Sequence, residues 1–386
     1  MIRLKNIKNK KQKLFILVVL IALGIRLIPA FLAPAASDTM NMETAGKLVS
    51  EGKNLYVSNA GIYPYPPLWM GVEGISYIIS NFTGINFAFL IKLPAIFSDI
   101  GIMFLLYLLS RKRILPALLY GLLPFSIFIS GFHGQFDSFA LFFVLLGVLL
   151  LQKKRFLWSN LSLGFAILIK LFPVFVLPFF IMKAKNWKER VLGIVLALAP
   201  VILVTLPFII GNKDAVNNSF INYNGVGDFG LGGFARAVDM IVKGAQLPDI
   251  WNLLLNNGKL LFFAAAFFAS VLLAKNRKIM ESISIVFFLF LIFIPNISIQ
   301  YFLWVIPFIV ISYPKFSVLY NIVISIAAVA FYTTFHGGIL SPFIITKEFA
   351  SIATPIYPYM ILISWLLILG WTAKKFIFTL GFSKSR

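Results

Sequence analysis

Residues 14–32 read LFILVVLIALGIRLIPAFL, and this run decides the fold class of the chain. A transmembrane helix needs about 20 mostly apolar residues, so the run predicts a first membrane span from Leu14 to Leu32. A secretory signal peptide is the alternative, because Ala33-Pro34-Ala35 resembles a cleavage site. Arg26 would interrupt the apolar core of a signal peptide, and many further apolar runs follow. We therefore expect a retained membrane anchor.

The composition extends this prediction to the whole chain. Of the 386 residues, 60% are hydrophobic and 12% are charged, and the mean hydropathy is +0.94. Soluble domains carry about 25% charged residues, so a water-soluble globule is excluded. Cysteine is absent, and the two histidines belong to no Cys/His cluster, so neither disulfides nor a zinc site are expected. We predict an all-α, polytopic membrane helix bundle that forms a single integral-membrane domain over residues 1–386.

The net charge of +21 reflects membrane topology rather than nucleic-acid binding. The basic residues form short clusters between apolar runs, as the positive-inside rule expects of cytoplasmic loops. The rule predicts cytoplasmic termini and two extracytoplasmic loops, residues 33–86 and 211–257, that carry short amphipathic helices. About 12 spans are expected, some of them short or broken. The predicted apolar segments are 14–32, 87–109, 114–131, 137–151, 160–182 as two half-spans, 191–210, 258–274, 279–295, 300–313, 316–335 and 356–373.

The stretch from Asn160 to Met182 predicts a break in the bundle. Basic clusters flank it on both sides, so both of its ends are expected in the cytoplasm. Since one crossing needs about 20 residues, the chain must enter and return as two half-length helices. The break is expected at Lys170-Leu171-Phe172-Pro173, because proline cannot continue a helical hydrogen-bond ladder. Irregular backbone at that depth must be covered by protein or line a wet cavity, which places Lys170 near a groove.

A polar stretch follows the first span and reads PAASDTMNMETAGKLVSEGKNLYVSNAGIYPYPPLWMGVEGISY over residues 34–77. It contains four of the 13 acidic residues, Asp38, Glu43, Glu51 and Glu73. A carboxylate next to a membrane helix is suited to act as a general base at the boundary of water and lipid. The alternative is that Asp38 marks a loop or caps a helix predicted from Thr39 to Ser50.

Charge inside the predicted spans is unbalanced. Away from the segment ends, where Asp137, Lys259 and Glu281 lie, the apolar segments contain the cations Arg26, Lys92 and Lys170 and one acid, Asp99. An unpaired charge in a membrane costs roughly 2.5–3.5 kcal/mol even on the gentler insertion scale, so an anion is expected. A lipid phosphate in the groove would supply it, with Lys170 and Arg26 as the candidate ligands. Snorkelling to the headgroups is the alternative for these cations, and Lys92 lies about one turn below the end of its span. A water network shared with Asp99, two turns away on the same helix face, is a further alternative for Lys92.

A second candidate cluster is His133-Gly134-Gln135-Phe136-Asp137, in a short predicted turn between two spans. Lipid contact does not explain a histidine, an amide and a carboxylate so close together, and substrate binding does. Helix capping is the alternative for Asp137. A weaker third candidate is Gln300-Tyr301 at the end of a later span, where tyrosine is also expected as an interface residue.

Several short motifs occur in a fixed order along the chain. They are Asp38, Glu51-Gly52-Lys53-Asn54-Leu55-Tyr56, Tyr65-Pro66-Pro67-Leu68, Ser98-Asp99, Gln135-Phe136-Asp137-Ser138, Ile169-Lys170-Leu171-Phe172-Pro173 with Pro178, and Gln300-Tyr301-Phe302-Leu303-Trp304 with Pro307. From about Pro34 to Pro307 this series resembles the GT-C glycosyltransferases. The closest resemblance is to the branch with the catalytic subunit of glycosylphosphatidylinositol mannosyltransferase I and its prokaryotic relatives.

The resemblance implies a membrane enzyme that transfers a hexose, usually mannose, from a polyprenyl-phosphate carrier to a glycan, lipid or protein acceptor. The reaction takes place on the extracytoplasmic face, inverts the anomeric carbon and needs no metal or other cofactor. Asp38 matches the first-loop aspartate of the family and would be the general base. The mannosyltransferase branch often has Asp-x-Asp at this place. Here Ala36 occupies the position of the first aspartate, so the resemblance implies a role for one carboxylate only, that of Asp38.

In the mechanism that the resemblance implies, Lys170 and Arg26 neutralise the departing lipid phosphate. The side chains expected to bind and orient the substrate are Glu43, Tyr65, His133, Gln135, Asp137, Gln300 and Tyr301. The composition is typical of a prokaryote and predicts the cytoplasmic membrane as the location; in a eukaryote it would be the endoplasmic reticulum membrane.

The alternative function is a polytopic transporter or lipid flippase with a cavity for phosphate and sugar. Broken helices and buried cations also suit such carriers. Carriers often show two related halves, and the sequence has no convincing internal repeat. A non-catalytic assembly subunit would leave the buried cations without a purpose. No sequence motif specifies which hexose is transferred, which acceptor receives it or whether partner subunits exist.

Overall fold

The structure is a computed structural model that describes residues 2–58, 63–220, 223, 225, 227–243, 248–276, 278–335, 337–340, 343 and 347–381. In these ranges the secondary structure is helical, apart from one antiparallel bridge between Phe229 and Ile297. The all-α class is therefore confirmed. The chain divides into unit 1 (Met1–Tyr223 and Gly338–Phe343) and unit 2 (Asn224–Gly337 and Ile344–Arg386). A single functional domain over residues 1–386 stays a prediction.

Six of the described helices are long and apolar enough to cross a membrane. A seventh candidate is the pair Leu115–Leu122 and Pro124–His133, which bends by 52°. Five shorter apolar helices of 10–17 residues accompany them. Each predicted apolar segment has a helical counterpart, so the prediction of a polytopic bundle with short and broken segments is confirmed. The chain is an integral membrane protein.

The helices of unit 1 follow one another with short connections. They are α1 (Ile2–Leu32), α2 (Ser37–Ser50), α3 (Leu55–Ser58), α4 (Pro67–Thr83), α5 (Phe87–Leu109), α6 (Leu115–Leu122), α7 (Pro124–Ile127), the π-helix Phe128–His133, α8 (Asp137–Gln152), α9 (Phe156–Ile169), the 3₁₀ helix Phe172–Val176, α10 (Leu177–Ile181), α11 (Trp187–Gly211) and α12 (Lys213–Phe220).

A buried ion pair connects the long helices of unit 1. Arg26 Nε in α1 donates to Asp99 Oδ2 in α5 at 2.9 Å, and neither side chain is exposed. The guanidinium also donates to the Gly121 carbonyl oxygen at the end of α6 and to Ser126 Oγ in α7. Asp99 Oδ1 accepts a hydrogen bond from Ser138 Oγ in α8. This network fixes the helices that precede and follow the predicted turn at residues 133–137.

The predicted break in the chain is confirmed. Helix α9 ends at Ile169, and Lys170 takes an extended conformation with φ −153° and ψ 140°. The 3₁₀ helix with Pro173 near its start follows directly. The irregular backbone brings the Lys170 side chain to the first residue of α8, where it meets Asp137.

Helix α2 packs on α4 through two glycines. A Cβ atom on Gly46 would lie 2.5 Å from the Glu73 carbonyl oxygen, and one on Gly74 would lie 2.7 Å from Val49 Cγ1. The backbone of α4 thus excludes a side chain at Gly46, and at Gly74 a side chain would displace that of Val49. This close contact holds α2, which contains Asp38, against α4, which contains Trp69.

Unit 2 begins with a glycine-rich stretch that pairs with the chain before Gln300. Phe229 and Ile297 exchange backbone hydrogen bonds of 3.1 and 3.2 Å, and Arg236 Nη1 donates to Asn296 Oδ1 at 3.1 Å. The helices of unit 2 are α13 (Gly230–Ile241), α14 (Asp249–Asn276), α15 (Ile279–Phe293), the 3₁₀ helix Ile299–Val305, α16 (Ile306–Ser312), α17 (Pro314–Phe335) and α19 (Lys347–Gly381). The four-residue α18 (Gly337–Leu340) follows α17 in the chain, and all of it but Gly337 belongs to unit 1.

Candidate active site

Asp38, His133 and Gln135 meet in unit 1, although 95 and 97 residues separate them along the chain. Asp38 Oδ2 lies 2.9 Å from His133 Nε2 and accepts a hydrogen bond from Gln135 Nε2. The Asp38 side chain is 40% exposed, whereas that of His133 is 4% exposed. An accessible carboxylate is thus oriented by two buried polar groups, which is the arrangement that a general base requires.

The local backbone explains how these groups meet. Helix α2 has its N-cap at Ala36, and Asp38 lies inside its first turn, where a carboxylate interacts favourably with the helix dipole. His133 is the last residue of the π-helix, and Gly134 follows in the left-handed region with φ 81°. Single-turn π-helices are frequent at functional sites. The turn at Gly134 directs His133 and Gln135 toward the same carboxylate.

Gly134 is required at its position for two reasons. An L side chain is strained at its positive φ. A Cβ atom there would also lie 2.8 Å from Thr39 Cγ2 and 3.0 Å from Lys92 Cγ. The turn is therefore packed closely against both Thr39, in the helix of Asp38, and Lys92. Sequence reasoning assigned no role to Gly134, although its place between His133 and Gln135 was a usable signal.

Asp137 and Lys170 form a buried ion pair beside this cluster. Lys170 Nζ lies 2.9 Å from both carboxylate oxygens of Asp137, and the side chains are 8% and 0% exposed respectively. The N-cap residue of α8 is Phe136, which makes no side-chain capping bond. Asp137 is therefore not the capping residue; it lies in the first turn of the helix and forms the ion pair with Lys170. The sequence predicted both residues as site residues but did not predict that they pair.

Aromatic rings form a floor next to this ion pair. Lys170 Nζ lies 4.8 Å from the ring centroid of Phe136 and 5.6 Å from that of Tyr65, distances at which a cation interacts with the ring face. The Phe136 ring is stacked on Trp69 at 3.7 Å and meets Tyr65 edge-on at 4.9 Å. Tyr65 thus lies next to the Lys170–Asp137 pair, and its role in substrate binding stays a prediction. Phe136 belonged to the predicted cluster without a role of its own, and Trp69 is an addition that the sequence did not reveal.

A buried acid, Glu73 in α4, lies close to these aromatic residues in the chain and hydrogen-bonds to Tyr63. Glu73 is 1% exposed, and its Oε2 accepts a hydrogen bond of 2.7 Å from Tyr63 Oη. Burial raises the pKa of Glu73 to about 8, although the hydrogen bond from Tyr63 lowers it. Burial, together with the adjacent Glu73, also raises the pKa of the Tyr63 hydroxyl well above its usual value. Glu73 is therefore protonated at neutral pH and does not act as a second base.

The predicted phosphate ligand Arg26 is fully buried, and its guanidinium belongs to the hydrogen-bond network with Asp99 that was described for unit 1. Besides Asp99, its guanidinium donates to two carbonyl oxygens and to Ser126 Oγ. Its role as a phosphate ligand stays a prediction. Lys92 is also fully buried, which excludes snorkelling, and among the described residues its Nζ has no hydrogen-bond partner.

The remaining predicted residues are Glu43 in unit 1 and Gln300 and Tyr301 in unit 2. Glu43 is exposed on α2. Gln300 is 5% exposed in unit 2, and Tyr301 stacks on Trp304 there with ring centroids 4.4 Å apart. Substrate binding by these three residues stays a prediction. The described residues include no group of three or more His, Cys, Asp or Glu that suits a metal ion, and independence from metal and cofactors likewise stays a prediction.

Two crystal structures of ArnT from Cupriavidus metallidurans are similar to the chain. The structure bound to undecaprenyl phosphate has 16% sequence identity and a TM-score of 0.51, over 92% of this chain and 77% of that chain. The apo structure has 16% identity and a TM-score of 0.49, over 94% and 77%. At this identity the likeness to the structure bound to undecaprenyl phosphate shows a shared polytopic fold and no more.

A family model, glycosyltransferase family 87, matches residues 78–295. Because the match covers more than half of the 386 residues, the chain belongs to glycosyltransferase family 87. The matched region contains His133, Gln135, Asp137 and Lys170 and begins after Asp38. Among curated proteins, no sequence matches the chain.

Proposed function

We propose that this GT-C glycosyltransferase moves a hexose, most simply mannose, from a polyprenyl-phosphate carrier to an acceptor hydroxyl on the extracytoplasmic face of the membrane. The observation that carries the proposal is the half-exposed Asp38 carboxylate held by His133 and Gln135. ArnT has been crystallised with undecaprenyl phosphate, and the shared fold supports a carrier of that class. The preference for mannose rests on the motif series, and the extracytoplasmic face rests on the positive-inside rule.

The chemistry begins at the acceptor hydroxyl. Asp38 takes its proton as the oxygen forms a bond to the anomeric carbon of the sugar. The bond from that carbon to the phosphate oxygen breaks, and its electron pair leaves with the polyprenyl phosphate. Attack from the face opposite the leaving group inverts the anomeric configuration. With its proton on Nε2, His133 donates to the same carboxylate oxygen as Gln135, and both keep Asp38 aimed at the hydroxyl.

The leaving phosphate needs positive charge in a site of low dielectric. In the proposal Lys170 supplies it from the edge of the aromatic floor formed by Tyr65, Trp69 and Phe136. Asp137 balances this lysine before the donor binds, so the phosphate competes with a carboxylate for the ammonium group. Glu43, Gln300 and Tyr301 complete the predicted set of substrate contacts.

The test is transfer by the purified protein in detergent or liposomes, with radiolabelled undecaprenyl-phosphate mannose as donor. Asp38→Asn keeps the size and most hydrogen bonds of the side chain, and we expect the rate to fall by about 10²- to 10⁴-fold. Glu51→Gln is the matched control, because Glu51 is an exposed acid in the same polar segment, and it should retain the parental rate. Transfer by Asp38→Asn at the parental rate would exclude Asp38 as the base.

The sugar is tested in the same assay by comparing mannose and glucose donors on one carrier. Faster turnover of the mannose donor supports the proposed specificity, and faster turnover of the glucose donor contradicts it. Uptake of the labelled lipid into the inner leaflet without formation of a glycosylated product would contradict the transferase function as a whole.

A further inference from the structure

Buried positive charge in unit 1 is compensated at two sites and uncompensated at a third. The buried basic side chains of the described residues are Arg26, Lys92 and Lys170. Arg26 pairs with Asp99 and Lys170 pairs with Asp137, each at 2.9 Å. Lys92 is 0% exposed, and within the described ranges its Nζ has neither an ion-pair nor a hydrogen-bond partner.

An ammonium group in such a place is unfavourable by itself. Buried charges in proteins are normally paired or hydrogen-bonded, because desolvation removes the water that stabilised them. A lysine kept at such a position stabilises neither the helix nor the core through its charge. Groups that are costly to the fold often serve a ligand, and an anion is the ligand that an uncompensated ammonium requires.

The position of Lys92 relative to the catalytic cluster identifies that anion. Its side chain runs along Gly134, with Cγ and Cε 3.0 and 3.2 Å from where a Cβ of that residue would lie. Gly134 separates His133 from Gln135, the two residues that hold Asp38. Lys92 is six residues into α5, about 8 Å from the start of that helix at 1.5 Å per residue, so it lies near the end of the span rather than at its centre.

A second unmatched atom adjoins the same turn. Gln135 Nε2 donates to Asp38, whereas Gln135 Oε1 is buried without a partner among the described residues. Next to Gly134, then, Lys92 offers a donor that lacks an acceptor, and Gln135 offers an acceptor that lacks a donor, among the described residues. A glycosyl phosphate satisfies both demands, since its phosphate oxygens accept hydrogen bonds from an ammonium and its sugar hydroxyls donate to an amide oxygen.

We infer that Lys92 is a phosphate ligand of the donor site and that Gln135 Oε1 binds a hydroxyl of the attached sugar. This assignment rests on the proposed function and deepens it. It adds a second cation to the phosphate site, and unlike Lys170 this one has no carboxylate partner within the described part of the chain. The lysine side chain has a flexible four-carbon stem and three rotatable donors, so its ammonium can turn from its covered position toward a phosphate at the Asp38 cluster.

The test measures binding without requiring transfer. Radiolabelled undecaprenyl phosphate is bound to the purified full-length protein in detergent, for the parent, Lys92→Met and Lys53→Met. Lys53 is a matched control, because it is 52% exposed and its loss removes the same charge. We expect Lys92→Met to weaken binding at least tenfold and Lys53→Met to leave it within twofold. Competition by undecaprenol and by inorganic phosphate distinguishes recognition of the lipid-borne phosphate from recognition of free phosphate.

Thermal unfolding of the same samples separates a ligand from a structural residue. If Lys92 serves the phosphate, Lys92→Met removes an unpaired buried charge, so the variant unfolds at the parental temperature or higher and loses the stabilisation that undecaprenyl phosphate gives the parent. A lower unfolding temperature together with parental affinity would make Lys92 structural and overturn the inference. Parental affinity at the parental unfolding temperature would overturn it as well.

Failure of the inference is distinguishable from failure of the proposed function. Transfer by the parent with unchanged lipid-phosphate binding in Lys92→Met would remove Lys92 from the site and leave the transferase function standing. Binding of undecaprenyl phosphate that depends on Lys92, without transfer by the parent, would support the phosphate site and contradict the proposed reaction.

Discussion

The Lys170–Asp137 ion pair allows stability and phosphate binding to be separated in one set of variants. Three are needed: Lys170→Met, Asp137→Leu and the double variant. Each single change leaves one buried charge without its partner, whereas the double change removes both. Because the two side chains are 8% and 0% exposed, water cannot replace the missing partner in either single variant.

The magnitude follows from the geometry. At the observed 2.9 Å, two unit charges attract each other by about 6 kcal/mol at an effective dielectric constant of 20. The desolvation of both ions offsets most of this attraction, so the intact pair is close to neutral for folding. Removing one partner keeps the desolvation cost of the other and loses the attraction. We expect each single variant to lose about 3–5 kcal/mol of unfolding free energy and the double variant to recover most of it.

Stability is measured by denaturant unfolding in detergent followed by tryptophan fluorescence, and function by transfer from undecaprenyl-phosphate mannose. If Lys170 binds the phosphate, the double variant regains stability but not activity. Single variants as stable as the parent would refute the energetic argument, since the pair would then not be desolvated. A double variant that is both stable and fully active would show that Lys170 does not serve the leaving group.

Two further substitutions test the supports of the site. Gly134→Ala should lose transfer activity and about 1–2 kcal/mol of stability from its positive φ, with an added cost from the contact at 2.8 Å with Thr39. Gly84→Ala is the control for strain alone, because Gly84 has φ 73° and no atom within 4 Å of its Cβ position; an equal loss in both variants would show that the Thr39 contact is unimportant. Since burial raises the pKa of Glu73 to about 8, the folded state binds a proton that the unfolded state releases from about pH 4.5 upward. Stability should therefore fall as the pH rises from about 4.5 to 8, and Glu73→Gln should abolish that fall in urea unfolding measured across this window; a slope that persists unchanged in the variant would assign the effect to another group.

Local sequence patterns predicted the helices well because their causes are local. The span predicted at residues 87–109 is α5 with the same bounds, and the helix predicted from Thr39 begins two residues earlier, at Ser37. Proline predicted the break after Lys170 for the reason observed, loss of the helical ladder. The span predicted at 114–131 is instead a pair bent by 52°, and Pro124 at the start of the second helix is the physical reason.

The pairing of charges was beyond such reasoning because it depends on how distant helices pack. Counting buried charges indicated an excess of cations, but the count could not show which cation was in excess. In the packed bundle Arg26 forms an ion pair with Asp99, 73 residues away, and Lys170 forms one with Asp137, 33 residues away. The lysine at the proline break therefore already has a carboxylate, and among the described residues the excess charge is on Lys92. The sequence marked Lys92 as a cation within a span, but its place near a helix end made snorkelling an equally simple interpretation. An anion site in a membrane protein is therefore better sought at the cation that remains after pairing than at the cation nearest to a broken helix.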